Sequence, residues 1–244
     1  MRNIKLKLEY DGTNFCGWQK QINGRTVETV LQNAIESIVK EKIKLIGCSR
    51  TDSGVHAKEY IATFKTNSRI PEKKFRDAIN TKLPKDVVIL DSEEVPEEFH
   101  SRYHTKGKTY CYTIYNSELP KAMGRDYIYQ YKWKLDVDKM IEASKYFIGN
   151  HDFNAFRSLG GSVKTTVRTI WDIKFKIDKE LIKIYVSGDG FLYNMVRIIV
   201  GTLIMVGRDK IEPYDIIEII ESKDRKRAGK CAPAGGLCLE KVFY

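Results

Sequence analysis

Ile4-Lys5-Leu6-Lys7-Leu8-Glu9-Tyr10 puts Ile4, Leu6, Leu8 and Tyr10 on one face of an extended chain and Lys5, Lys7 and Glu9 on the other. That period of two is the signature of a half-buried strand. Asp11-Gly12-Thr13-Asn14 then supplies turn chemistry. Beyond it the period changes: Val27, Val30, Leu31, Ala34, Ile35, Ile38 and Val39 recur at helical spacing, with Thr26 placed to cap the helix. A strand over Ile43–Cys48 leads into the polar stretch Ser49–His56, and Tyr60, Ala62 and Phe64 share one face of the next strand. Pro71 opens a helix to about Leu83, and Val87–Leu90 reads as a strand.

The second half repeats the mixture. Gly107–Asn116 alternates Tyr110, Tyr112 and Ile114 against Thr109, Cys111 and Thr113, a strand pattern. Helices are expected near Val137–Ile148, Phe191–Val206 and Pro213–Glu221, and strands near Thr166–Ile177, Leu181–Ser187 and Leu237–Tyr244. Alternating strands and helices in two halves imply an α+β fold: a mixed, largely antiparallel central sheet flanked by helices. With only 6 Pro and 17 Gly in 244 residues a long flexible linker is not expected. The halves are placed at 1–104 and 105–244, together forming one compact catalytic unit.

Composition narrows the function. The chain carries 42 Lys+Arg against 32 Asp+Glu, a formal charge of +10, which favours a nucleic-acid partner over an anionic lipid surface or a merely solvated exterior. The longest apolar run, Ile198–Val206, is too short to span a bilayer, and Met1–Lys5 offers no signal-peptide core. Five scattered cysteines without a C-x-x-C pair read as reduced thiols of a cytoplasmic protein, and metal binding is not expected.

Two stretches carry chemistry. In Gly47-Cys48-Ser49-Arg50-Thr51-Asp52-Ser53-Gly54-Val55-His56-Ala57, a polar loop between apolar strands can aim the Asp52 carboxylate into a cleft; the plainer reading is a turn in which Asp52 caps a backbone amide. In Ser187-Gly188-Asp189-Gly190-Phe191-Leu192-Tyr193-Asn194-Met195-Val196-Arg197, the guanidinium of Arg197 enters an apolar helix and calls for a carboxylate partner, unless it snorkels or forms an ordinary ion pair. Gly-x-Gly without a P-loop lysine gives little support to a nucleotide cofactor. Tyr110 and Tyr112 beside Lys106 and Lys108 suit base stacking near phosphates, or simply a tyrosine-rich core strand.

Taken in order, seven stretches resemble the tRNA pseudouridine synthase A family. They are Tyr10–Phe15 with Gly17-Trp18-Gln19, Arg50–Ala57, Phe99-His100-Ser101-Arg102, Lys108–Tyr112, His151-Asp152-Phe153 with Phe156-Arg157, Gly188–Arg197, and Ala232-Pro233-Ala234 with Gly236-Leu237. The resemblance implies two α/β halves with a cleft between them, working as a homodimer. It implies isomerisation of uridine to pseudouridine in the tRNA anticodon arm, at positions 38 to 40, without a cofactor. Carried over by motif, Asp52 is the catalytic carboxylate, Tyr110 the aromatic that packs on the base and Arg197 the cation that pairs with the aspartate. Arg50 lies beside the flipped nucleotide, and His56, Asn194 and Arg157 join Tyr110 among the substrate-binding residues. Ser53 stands where the family usually has Ala, and Cys16 where a His is frequent. Two rivals are a non-catalytic tRNA-binding or folding protein and a metal-dependent RNA phosphodiesterase. The first is disfavoured by the presence of all three expected catalytic residues, the second by the lack of clustered carboxylates near Asp52.

Overall fold

The computed structural model describes residues 1–160 and 163–244. The chain divides into two compact units, one of Met1–Lys106 with Cys238–Tyr244, the other of Gly107–Leu237. The fold class is the expected one: α+β, with mixed and largely antiparallel pairing.

Unit 1 is built on β1 (Arg2–Tyr10), which pairs antiparallel with β3 (His56–Thr66) on one side and β4 (Val87–Val95) on the other. The two-residue β2 (Ile46–Gly47) lies on β3, and β10 (Leu237–Phe243) returns at the end of the chain to run parallel to β3. Ile4, Leu6, Leu8 and Tyr10 are all buried, as the alternation requires. α1 (Val27–Val39) begins where Thr26 Oγ1 accepts the Thr29 N–H at 3.3 Å, and buries Val27, Leu31, Ala34 and Ile35. α2 (Lys74–Asn80) buries Phe75, whose ring meets Phe64 edge-on at 5.6 Å.

Three boundaries in this unit differ from expectation. Ile43–Cys48 is extended in ladder pairing only over β2, because the Ile43 N–H is taken by the Glu36 carboxylate at 3.3 Å. α2 starts later than Pro71, since the Ser92 hydroxyl donates to Glu72 O and accepts from Arg76 N–H, tying the helix start to β4. β4 runs past Leu90 through an acidic stretch with no apolar alternation. Glu93 there pairs with Lys5 directly across from it on β1, and Glu94 pairs diagonally with Arg2.

Unit 2 centres on β5 (Gly107–Asn116), β9 (Leu181–Gly188) and β8 (Val167–Asp178), paired antiparallel in that order, with β7 (Gly149–Asp152) on β8 and β6 (Tyr129–Tyr131) parallel to β5. α4 (Met195–Gly207) packs on α3 (Val137–Ser144) and β5 and is buried along most of its length. α5 (Asp215–Ser222) contributes Ile216, Ile219 and Ile220 to the core. The short β6 and β7 carry no sequence signal of their own. α4 begins four residues after the expected Phe191. Asn194 is left-handed at φ 62°, and Met195 N–H bonds Leu192 O in a turn that precedes the helix. No helix among the described residues is long and apolar enough to cross a membrane.

Glu36 closes the α1–β2 connection by accepting from Gln32, Lys42 and the Ile43 N–H. Chiefly the Lys42 and then the Gln32 side chain hold its carboxyl down at about 2. A depressed carboxyl stabilises the fold above its unfolded value and loses that contribution as pH falls toward the folded one. The melting-temperature gap between wild type and Glu36→Gln should therefore be constant above about pH 5 and close as pH drops to about 2. Thermal melts across that range check it.

Candidate active site

The expected site residues fall on both units. In unit 1, Arg50 is exposed, Asp52 half-buried and His56 buried, all within the loop from β2 to β3 and the first residue of β3. Thr51, beside Asp52, is fastened at two points. Its hydroxyl lies 2.8 Å from the Tyr10 hydroxyl in a buried pair, and its carbonyl accepts the Trp18 N–H at 3.1 Å. After Asp52, the Ser53 hydroxyl and the Gly54 N–H both donate to Phe15 O at 3.2 Å, and the Asp52 carbonyl accepts Val55 N–H at 3.1 Å. The Ser53 bond is one that an alanine at that position could not make.

The loop rests on the 11–19 turn, and close backbone approach explains its glycines. A Cβ at Gly12 would lie 2.0 Å from Val55 O, and one at Gly17, whose φ is +87°, would lie 2.5 Å from Thr51 O. Behind the turn, Trp18 stacks on Tyr60 at 4.0 Å and 22°, and Tyr10 meets Tyr60 at 5.6 Å. The Tyr60 hydroxyl donates to Ser49 O. Gly12 N–H donates to His56 Nδ1 at 3.0 Å, so that nitrogen is an acceptor. Asp11 Oδ1, 3.2 Å from the same nitrogen, is then a near neighbour and not an ion-pair partner through it.

In unit 2 Arg197 and Asn194 share one hydrogen-bonded framework, and Tyr110 packs on Phe191. Arg197 is half-buried in the first turn of α4. Its Nε donates to Ala232 O and its Nη1 to Asn194 Oδ1, each at 2.7 Å. Asn194 Nδ2 donates to Ser158 Oγ at 2.9 Å, and Ser158 N–H to Tyr193 O at 3.0 Å. Arg157, next in the chain, is half-buried and bonds Asn154 Oδ1 at 2.8 Å. Tyr110 is buried and stands edge-on to Phe191 at 5.3 Å. Below it Tyr112 donates its hydroxyl to Pro233 O at 2.7 Å, so Tyr112 and Arg197 hold consecutive carbonyls of the Ala232–Pro233 segment. Burial pushes the Tyr112 phenol well above its usual range, the Arg197 charge opposing the shift, so the phenol stays protonated as a donor.

Neither the Tyr10–Thr51 pair nor the grip on Ala232–Pro233 is apparent from sequence reasoning. Tyr10 reads as a core residue by alternation, and nothing local says where its hydroxyl goes. Asn194 is the exception: an Asn just ahead of a helix is a residue type that tolerates the left-handed conformation it adopts.

The family profile described as tRNA pseudouridine synthase matches residues 8–104 and 143–244. The chain is 62% identical to "tRNA pseudouridine synthase A 2" of Clostridium perfringens and 57% identical to "tRNA pseudouridine synthase A" of Clostridium acetobutylicum, in each case over the whole of both chains. It is 54% identical, again over the whole of both, to the protein of that name from Acetivibrio thermocellus. Among solved structures, a chain of a Cbf5-Nop10-Gar1 complex aligns with 82% of this chain and 53% of its own at 13% identity and TM-score 0.38, too distant to bear on the site. The matched stretches take in the fastened Asp52 loop of unit 1 and the Arg197 framework of unit 2, and the chain belongs to the tRNA pseudouridine synthase family.

Proposed function

We propose that this protein isomerises uridine to pseudouridine in tRNA, acting as a homodimer in the cytoplasm on positions 38 to 40 of the anticodon arm. The observation that carries the reading is the family match over both stretches, which include Asp52 and Arg197. The N1–C1′ bond of the uridine breaks, the uracil turns, and a C5–C1′ bond forms. N1 gains a proton and C5 loses one to solvent, so the product is an isomer and the balance needs no redox partner.

Asp52 supplies the carboxylate that assists the bond exchange and is released unchanged. Its loop is suited to that role because Thr51, Ser53 and Gly54 are all bonded to the turn beneath, which limits the reorganisation needed at the moment of reaction. Arg197, taken from the family motif, supplies the cation of the site. Its hydrogen bonds to Ala232 and Asn194 fix where that charge sits. Tyr110 meets the extruded base, since a base reached by a side-chain carboxylate must leave its stack. Arg50, His56, Asn194 and Arg157 join Tyr110 in binding the substrate, and the Gly12 N–H bonded to His56 Nδ1 sets the orientation of that buried ring.

Tritium release from tRNA labelled at uridine C5, in the presence of EDTA, tests the activity, and mapping the product tests the positions. Asp52→Asn should lower turnover on the order of 10³-fold or more while tRNA affinity stays within a few-fold of wild type; turnover retained by this variant removes Asp52 from its role. Tyr10→Phe leaves the buried Thr51 hydroxyl without its partner. It should cost about 1–3 kcal/mol in urea unfolding and lower kcat, as the Asp52 loop loosens. Arg197→Met should abolish most turnover and lower the melting temperature by a few degrees, because the Ala232 carbonyl loses its donor.

A further inference from the structure

In unit 2 a single file of aromatic rings runs from the interior to solvent. Tyr112 is fully buried and meets Tyr129 at 6.5 Å, Tyr129 meets Tyr131 at 5.7 Å, and Tyr131 meets Trp133 at 5.4 Å. The extended backbone of β6 places residues 129 and 131 on one face. At the outer end Trp133 is 51% exposed. Lys132 Nζ lies 4.7 Å from its ring centroid and the Arg208 guanidinium 5.3 Å. Arg208 also reaches the Tyr131 hydroxyl at 3.5 Å.

The outer rings are held in place before any ligand arrives. Asn116 Nδ2 donates to Tyr131 O at 2.9 Å and to Trp133 O at 2.7 Å, while its Oδ1 accepts Leu135 N–H at 3.1 Å. The neighbouring acids are occupied elsewhere: Asp136 caps α3 through Lys139 N–H at 3.1 Å, and Asp209 is bonded by Lys139 Nζ at 2.5 Å. Among the described residues Lys132, Lys134 and Arg208 form no ion pair with a carboxylate. A solvated loop accounts for the cations, but not for an exposed indole fixed between two of them. Core packing accounts for Tyr112 and Tyr129, but not for Trp133. At its inner end the file adjoins the Ala232–Pro233 segment that Tyr112 and Arg197 share.

We propose that Tyr131–Lys134 with Arg208 is a second RNA-docking surface, on which Trp133 stacks an unpaired base away from the reacting uridine and Lys132, Lys134 and Arg208 take the adjoining phosphates. Every base presents a π-face to an indole, and unpaired cations beside it suit a polyanion. Lys132 is exposed on a flexible stem and leaves the ring for a phosphate as the base arrives. The surface lies in residues 105–142, between the two stretches that define the family, apart from Arg208. It takes its ligand from the RNA-modifying reading above and adds a contact that the reacting nucleotide does not make.

The test measures binding of an unmodified tRNA transcript and steady-state kinetics, with melting curves and light scattering on every variant. Trp133→Ala should weaken binding about tenfold or more, with the loss appearing in KM rather than kcat, and Trp133→Phe should restore most of it. The double variant Lys132→Gln/Lys134→Gln should lower the slope of log Kd against log salt by about 1.5. Affinity and KM within twofold of wild type for Trp133→Ala overturn the proposal. So does a change of oligomeric state that tracks the loss of binding, which assigns the ring to self-association. Should Trp133→Ala fail to fold, the salt slope of the lysine variant decides. A wild type that binds tRNA through Trp133 yet makes no pseudouridine overturns the proposed activity and leaves this surface standing.

Discussion

Tyr10 Oη and Thr51 Oγ1 face each other at 2.8 Å inside unit 1, and much of the candidate chemistry depends on that contact. Tyr10 is the last residue of the strand around which the unit is built, so its position is set by two ladders at once. The hydroxyl carries that rigidity across to a loop that has no ladder of its own. Without it Thr51 would hold a buried, unmatched polar group, and such a group costs more than the bond gains when made. The stacked Trp18 and Tyr60 rings fill the space behind, leaving the loop little room to move toward its support.

Unit 2 solves a related problem with a charge. A guanidinium on an apolar helix must find acceptors, and Arg197 finds a backbone carbonyl and an asparagine side chain. The asparagine is itself strained into the left-handed region, a conformation maintained where surrounding bonds over-determine it. Ser158 and Arg197 supply those bonds from either side. The positive group is thereby presented from a fixed point and not from a free side chain, which is the condition for an electrostatic role in catalysis.

What was legible in the sequence follows from how local each cause is. α1 was readable in full because its period, its Thr26 cap and its buried face all lie within the helix. β5 was readable because its alternation spans its whole length. The shortening of β2 and the late start of α4 were not: the first is set by the Glu36 carboxylate bonding the Ile43 N–H, the second by a left-handed Asn194 and a Met195–Leu192 backbone turn ahead of the helix. The acidic end of β4 lies beyond the strand read at Val87–Leu90 because its partners are cations on another strand. The same division holds at the site. Motifs name Asp52, Tyr110 and Arg197, but the Tyr10–Thr51 bond beside Asp52, the Phe191 ring against Tyr110 and the Ala232 carbonyl on Arg197 all come from distant parts of the chain that no spacing encodes. Nothing in the sequence reading singles out Trp133, whose setting is the file of rings behind it.

The return of β10 to unit 1 bears on how the chain is made. Cys238 and Leu239 pair with His56 and Ala57, Phe243 O accepts the Lys106 N–H at 2.9 Å, and the Tyr244 hydroxyl donates to Ser101 O at 2.6 Å. The His56–Ala57 end of β3, beyond the reach of β2, therefore stays an open edge on a nascent chain while all of Gly107–Leu237 is translated, on the order of ten seconds at about 5–20 residues per second. An edge exposed that long invites pairing with another nascent chain. Lys58, which ends up beside Glu240 on β10, leaves a charge on that edge during the wait, a device that discourages intermolecular strand addition until the proper strand arrives.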